Sequence, residues 1–387
     1  MKDILIITNY FPPETGAASN RIFHLAQGLQ KHNLNVSVLT PLPNYPKGKV
    51  FKAYKGLFKH QSKKNGVTIH RLWIFASNSK NKLLRLIAML SYSFSLIWFF
   101  IWNKVPKTVI IQSPPLLVAF TSVLFLRSKD RKLILNISDL WPLAALELGA
   151  FKKNLSYKLL EKIERFNYNN SNLILGQSEE ILNHVNSIFP KKTSFLYRNF
   201  PDFKAPLPNH EIQGDRKLKI VYAGLLGVAQ GIHKLCLNLD YTNIQLHIYG
   251  AGAEQIAIKN LIKDKPDLDI VYHGEVSRQK LHQVIAKYDV TIIPLLNRIY
   301  GSVPSKIFEY ARLGIPMIYF GGGEGETVIS KYNLGWIAKA GNYKELNYVI
   351  SKLDITHLTT QNRVTIQKTA QKHFDFNNQL LQLIKHI

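Results

Sequence analysis

The 387-residue sequence has a single cysteine, Cys236, which excludes an internal disulfide framework, and no Cys/His spacing suited to a structural zinc site. Both absences point to a reducing, cytosolic compartment. The start, MKDILIITN, runs straight into an apolar β-like stretch with no charged leader or cleavage site, so no secretory signal is expected. Acid is scarce: 25 Asp and Glu face 50 Lys and Arg, and residues 1–110 hold only Asp3 and Glu14 against sixteen basic side chains. Such a field favours an anionic partner, whether nucleic acid, lipid headgroups or a phosphorylated substrate. No RNA- or DNA-reading module accompanies it, so nucleic acid is not expected as a partner. Nor is there a repeat of solenoid length.

What is present is apolar and periodic. Hydrophobic residues make up 46% of the chain, enough for a large core, and the length suggests two domains. β-Branched runs at 4–9, 35–40, 67–73, 108–113, 132–138 and 172–178 alternate with helical stretches, the pattern of a parallel sheet covered on both faces. After the Pro-rich segment 200–216 the pattern restarts at 219–224, 244–250, 269–276, 290–295 and 316–321. The expectation is α/β, with two Rossmann-like domains, 1–203 and 204–387, facing across a cleft, the last helix free to pack back on the first domain. Ligands of open parallel sheets sit outside the carboxyl ends of the strands, so the segments that follow strands should line the cleft.

The most informative of these segments is YGSVPSKIFEYARLGIP, residues 300–316. Pro304 suits the first turn of a helix, whose free N–H groups favour phosphate. Lys306 and Glu309, three residues apart, share a face ~4.5 Å apart along the axis, about the offset between a nucleotide's diphosphate and its ribose. Lys306 would pair with phosphate oxygens and Glu309 would accept the ribose hydroxyls. The same spacing also describes an ordinary surface ion pair.

At this point the sequence resembles the retaining GT-B glycosyltransferases of family 4, especially bacterial members that build O-antigen, capsule and colanic-acid repeat units, N-acetyl-L-fucosamine transferases among them. The resemblance is carried across the whole chain by ILIITNYFPPETGAASNRIFHLAQGL, PNYPKG (43–48), SPP (113–115), SDLWP (138–142), YAGLLGVAQGI (222–232), YGAG (249–252), YHGEVSRQKL (272–281) and VPSKIFEYARLGIPMI. It implies transfer from a nucleotide diphosphate sugar, UDP-linked by analogy, to a polyprenyl-diphosphate-linked acceptor. The donor would lie in the second domain and the acceptor in the first, with no metal or organic cofactor. In that family a glutamate pair seven residues apart binds the donor. Glu309 matches the second glutamate, and the first falls on Gly301.

Further candidates follow from position. For the diphosphate, the loop 224–231 has no basic residue, which leaves Lys306, Arg298 or Arg198 to supply charge, with Gly227 amides and Gln230 assisting. Gly16 would let backbone approach the donor, and Gly250, Val276, Ser302 and Ser305 follow strands on the donor side. Glu326, or Glu324, in the glycine-rich segment 321–326 would replace the missing glutamate. Arg21 is a candidate for acceptor or donor phosphate, and Asp139 with Trp141 for orienting or activating the acceptor; the alternatives are a capping Asp and a core Trp. Arg198 suits a hinge equally well. Asp267-Leu-Asp269 reads as a turn. Two rivals stay open: a donor-binding partner without catalysis, suggested by Gly301, and a sugar-nucleotide epimerase, which would need several further acid/base residues.

Residues 86–102, LIAMLSYSFSLIWFFIW, carry no charge and are flanked by lysines. Three readings are open: docking on an anionic membrane surface with the Lys-rich segment 47–64 against the headgroups, a buried core helix, or a span. The stretch 116–126, opened by Pro114 and Pro115, reads as a buried crossover helix.

Overall fold

The computed structural model describes residues 2–387 apart from 80, 148, 150–151, 210–215, 297–299 and 354–357, with the side chains of 82 and 85 also left undescribed. The chain folds into two compact units. The first comprises Met1–Asn199 with Ile299–Ser302 and Asn377–Ile387, and the second Phe200–Arg298 with Val303–Phe376.

The first unit runs β1 Asp3–Ile7, α1 Ala17–Lys31, β2 Asn35–Pro41, β3 Lys59–Lys64, β4 Val67–Leu72, α2 Lys82–Trp102, β5 Thr108–Ser113, α3 Leu116–Leu126, β6 Lys132–Ile137, α4 Leu143–Glu147, α5 Leu155–Asn169, β7 Leu173–Gly176, α6 Glu179–Ile188 and β8 Ser194–Leu196. Its sheet has the order β3-β4-β2-β1-β5-β6-β7-β8. The β-branched runs pair in parallel because helices bury both faces, so each central strand is apolar nearly throughout. One strand departs from the all-parallel expectation. β3, KHQSKK, pairs antiparallel with β4, so residues 59–64 of the lysine-rich segment are a sheet edge, where charge discourages further pairing.

α2 is amphipathic in burial although its sequence is apolar all round. Ala88, Tyr92 and Leu96 are buried, with Tyr92 and Leu96 packed among the residues of β1, β2, β5 and α3, while Leu90, Phe94 and Trp98 are exposed. Among the described residues no helix is long and apolar enough to cross a membrane. α3 is buried along most of its length, as a crossover helix packed on the sheet should be.

The second unit runs β9 Leu218–Ala223, α7 Ile232–Asn238, β10 Ile244–Tyr249, α8 Gln255–Asp264, β11 Ile270–Gly274, α9 Arg278–Ile285, β12 Val290–Pro294, α10 Ser305–Arg312, β13 Met317–Gly321, α11 Glu324–Lys331, β14 Gly335–Lys339, α12 Tyr343–Ser351 and α13 Thr360–His373; α14, Phe376–Lys385, falls with the first unit after its opening residue. The all-parallel order β11-β10-β9-β12-β13-β14 reverses direction at β9/β12, as the first sheet does at β1/β5. These reversals are the topological switch points at which ligands of doubly wound sheets bind. β8 and β14 are strands that the apolar runs do not announce.

Candidate functional site

The switch point of the second unit is built around a lysine. β9 ends at Ala223, and α10 starts at Ser305 with Pro304 as its N-cap and no side-chain capping bond, leaving backbone N–H groups of the first turn open. One residue in, the Lys306 ammonium donates to the Ala223 carbonyl and lies 4.7 Å from the centroid of the Tyr222 ring. Tyr310 Oη donates to the same carbonyl at 3.1 Å. Burial drags the Lys306 pKa down to about 8, against the opposing pull of the Glu309 charge. The loop after β9 has to be glycine: a Cβ at Gly224 would fall 1.8 Å from Lys306 Nζ, and one at Gly250 would fall 1.8 Å from the Gly224 carbonyl oxygen. Gly224 N donates to Tyr249 O and Leu226 N to Ala251 O, both at 2.9 Å, so the two glycine-containing strand ends run side by side.

One turn along α10, Glu309 Oε1 accepts from Arg278 Nε at 2.9 Å and from His282 Nε2 at 2.6 Å. Burial pushes this carboxyl up, but the hydrogen bond from His282 and the charge of Arg278 outweigh it and hold the pKa at about 2. Lys306 and Glu309 are therefore not an ordinary surface ion pair: each has its own partners. Among the described residues both of these bonds fall on Oε1, and no hydrogen bond reaches Oε2. Arg278 and His282 were missed in the sequence. They lie four apart on α9, hence on one face, and that spacing was the signal that could have found them.

The corresponding loop in the first unit is closed differently. After β1 the buried carboxylate of Glu14 accepts from the backbone N–H of Asn44 at 2.7 Å, Tyr45 at 2.8 Å and Phe11 at 3.3 Å, tying residues 11–14 to 44–45. Glu14 also faces the buried Arg71 guanidinium, which donates to the Pro12 carbonyl, whereas the second unit presents a lysine at the corresponding place. Gly16 starts α1 and has open room beside it, the nearest atom to a Cβ there being Tyr45 Cε1 at 3.7 Å.

Arg21, Asp139, Ser302 and Gly301 come together in the first unit. The buried Arg21 guanidinium donates through Nη1 to Gln177 Oε1, while Nε and Nη2 have no hydrogen-bond partner among the described residues. Burial lowers the Arg21 pKa and raises that of Asp139; the mutual charge of the two, and a hydrogen bond from the Ser302 hydroxyl to Asp139, act in opposition. Ser302, expected on the donor side, thus sits with the acceptor candidates. Trp141 is half-buried just past Asp139.

Gly301 donates its N–H to Glu180 Oε2 at 2.8 Å and its carbonyl accepts from Ser178 Oγ at 2.6 Å. Its φ of 80°, and a Cβ position 2.8 Å from Ile181 Cγ1 and 3.1 Å from Leu140 Cγ, leave no place for a glutamate side chain.

The remaining candidates divide by surroundings. Gln230 folds its side chain over Gly227, with Oε1 2.7 Å from where a Cβ there would stand. Ser305 is the first residue of α10, and Val276 packs against the hydrophobic core of the second unit. Glu324 and Glu326 belong to the first turn of α11, not to a loop, where carboxylates complement the helix dipole. The Arg198 backbone is clamped by Gln379, which accepts from its N–H and donates to its carbonyl, both at 2.9 Å. Arg298 lies outside the described residues. Asp269 accepts from Gln245 at 2.6 Å and pairs with Lys217 at 3.3 Å, both structural uses. Among the described residues no three His, Cys, Asp or Glu cluster as metal ligands would.

Comparison with known proteins agrees with this architecture. Residues 16–193 match a family model described as a glycosyl transferase 4-like domain, and residues 219–353 one described as glycosyl transferases group 1. Compared by sequence with the curated proteins, the chain has no match. Among solved structures it is similar to sucrose-phosphate synthase from Thermosynechococcus elongatus, with TM-score 0.75 at 12% identity, covering 100% of this chain and 98% of that one. It is also similar to Anabaena Alr3699/HepE in complex with UDP, with TM-score 0.68 at 14% identity over 100% and 99%. A third is the lipopolysaccharide outer core galactosyltransferase WaaB, with TM-score 0.61 at 18% identity over 99% of each chain. At these identities the likeness speaks to the fold.

Proposed function

We propose that the chain, whose fold is that of the GT-B glycosyltransferases, moves a sugar, with retention at the anomeric carbon, from a UDP-linked donor to a polyprenyl-diphosphate-linked glycan at the inner face of the cytoplasmic membrane, building a cell-surface polysaccharide of O-antigen or capsule type. The second unit holds the donor. Lys306 and the open N–H groups at the start of α10 receive the diphosphate, and Glu309, kept ionised by Arg278 and His282, accepts the ribose hydroxyls. The acceptor hydroxyl attacks the anomeric carbon as its bond to the diphosphate breaks, and the departing phosphate oxygen takes the acceptor's proton. Charge on that leaving group is what Lys306 stabilises. Arg21, with two guanidinium nitrogens unpartnered among the described residues, meets the acceptor's diphosphate, while Asp139 and Trp141 orient its sugar. No metal or organic cofactor enters this scheme.

The observation that carries the proposal is the placement of Lys306 at the β9/β12 switch point, close enough to Gly224 that only glycine fits. It makes a pH signature. An ammonium whose free pKa is about 8 must be protonated to receive a diphosphate, which in turn raises that pKa, so binding takes up a proton above pH 8 and weakens as pH rises. UDP affinity by calorimetry should be flat near neutrality and about tenfold weaker near pH 9. Lys306→Met should remove the slope. A wild-type affinity independent of pH between about pH 7 and about pH 9.5 would contradict the assignment.

Gly301 favours a second reading, a donor-binding partner that does not itself transfer, since a side chain in that place has no room. UDP-sugar binding without transfer or donor hydrolysis, with a panel of lipid-linked acceptors, would select it.

A further inference from the structure

We propose that the exposed side of α2, with the strap at residues 73–75, is an in-plane anchor that inserts into the surface of an anionic lipid bilayer. The proposal deepens the lipid-linked-acceptor reading and rests on it for its purpose; its evidence is the surface alone. The buried side of α2 is fixed to the first unit by Tyr92, whose hydroxyl donates to the Thr8 and Leu39 carbonyls, each at 3.2 Å. The other side presents Leu83, Leu90, Phe94, Trp98, Ile101 and Trp102 at helical spacing, with Phe94, Trp98 and Trp102 exposed by 66%, 60% and 68%. Isolated apolar residues on a surface are ordinary, but a continuous stripe with paired tryptophans, their rings 5.7 Å apart, is an interaction face.

The strap widens it. Ser95 Oγ donates to the Trp73 carbonyl at 2.8 Å and Phe75 N–H donates to Ser91 Oγ at 2.9 Å, which holds the exposed Trp73 and Phe75 beside the helix.

Charge decides the occupant. The sequence has no Asp or Glu between Glu14 and Asp130. Lys104 and Lys107 are exposed past the C-terminal end of α2. Lys47 and Lys49 are exposed in the loop whose Gly48 abuts Asn78, just ahead of the helix, where a Cβ would fall 2.2 Å from the Asn78 nitrogen. A second copy would set these cations against their own kind, whereas anionic headgroups pair with them while the tryptophans sit at the headgroup level and the leucines and Phe94 enter the acyl boundary. Because Tyr92 and Leu96 are buried in the core of the first unit, one side of α2 stays with the protein and the helix lies along the surface.

Flotation of the full chain with equimolar phosphatidylcholine and phosphatidylglycerol vesicles tests this. Binding is expected, with a blue shift of tryptophan fluorescence and quenching by brominated acyl chains, and with much weaker binding to phosphatidylcholine alone. Trp98→Ser with Trp102→Ser, both exposed and free of core contacts, should cut partitioning at least about tenfold, and Lys104→Gln with Lys107→Gln should flatten its salt dependence. Failure of the wild type to float at any ionic strength would overturn the proposal, as would a solution dimer that the tryptophan variant dissolves. UDP calorimetry on the same samples separates the two ideas: vesicle binding without UDP binding leaves the anchor standing and removes the transferase reading, and the reverse removes the anchor alone.

Discussion

The two units wind their central strands in the same order, with the direction reversing beside the first strand of each, yet they treat that crevice in opposite ways. In the first unit the loop after β1 is stitched shut by Glu14, a carboxylate satisfied by three backbone N–H groups and pushed up by burial. In the second, the loop after β9 is pared to glycine and a lysine leans over the strand end, its ammonium set against a carbonyl and a ring. Topology therefore supplies the place for a ligand and says nothing about its charge. The ionisable side chains beside it decide that: Glu14 with the buried Arg71 guanidinium in the first unit, Lys306 in the second.

The comparison breaks most completely at Lys306. Lys306→Met keeps the volume and removes the charge, and turnover should fall by about 10²- to 10³-fold if that ammonium meets the leaving diphosphate. Folding should not suffer. A lysine whose folded pKa lies below its unfolded value binds fewer protons when folded between the two, so its burial costs stability below pH 8 and the cost fades as pH rises toward 10.5. The variant should accordingly melt at or above the wild-type temperature at neutral pH. A lower melting temperature with unchanged turnover would make Lys306 a structural residue.

Gly224→Ala sharpens the same point with less damage. The atoms its Cβ would meet, Nζ and Cε of Lys306 and the hydroxyl of Tyr222, are the far ends of flexible side chains, so the fold can yield while the ammonium is displaced. Donor affinity should drop about tenfold, on the scale of one charge-assisted hydrogen bond, and the melting temperature should fall as well, because the φ of 158° at Gly224 is strained for a residue with a Cβ. Equal affinity in the variant would show that the position of the lysine is not what the donor reads.

Much of this was legible in the sequence, for identifiable reasons. β-Branched runs buried on both faces announce parallel strands, and the spacing of Lys306 and Glu309 put cation and carboxylate on one helix face. β3 escaped because KHQSKK, at an edge, needs only one neighbour and no apolar alternation. β8, at three residues, is too short to show a pattern. The partners escaped because they are set by tertiary contact: Gln177 meets Arg21 across 156 residues of sequence, and Arg278 meets Glu309 across 31. The segment 86–102 shows the converse limit. A sequence apolar on every side does not say which side the sheet will claim; the burial of Tyr92 and Leu96, with the hydrogen bonds of Tyr92 to Thr8 and Leu39, sets the inward face of α2.

The smallest expected effect on the donor comes from the other side of the comparison. Glu14→Gln in the first unit removes a charge but keeps an acceptor, and its amide nitrogen would confront backbone N–H groups that the carboxylate had satisfied with both oxygens. One buried donor loses its partner, at a cost of about 1 to 3 kcal/mol in unfolding free energy, measurable by denaturant titration. UDP affinity should not move, because the donor site we propose is in the second unit. The pH dependence of stability would also change. Burial raises the Glu14 pKa above its ordinary value, so the folded state takes up that proton more readily than the unfolded one, and its ionised carboxylate costs some stability as pH rises through the raised value. The glutamine variant lacks that step. If it instead bound UDP more tightly than the wild type, the closed crevice of the first unit would be a phosphate site held shut by Glu14, and the division of labour between the two units would have to be redrawn.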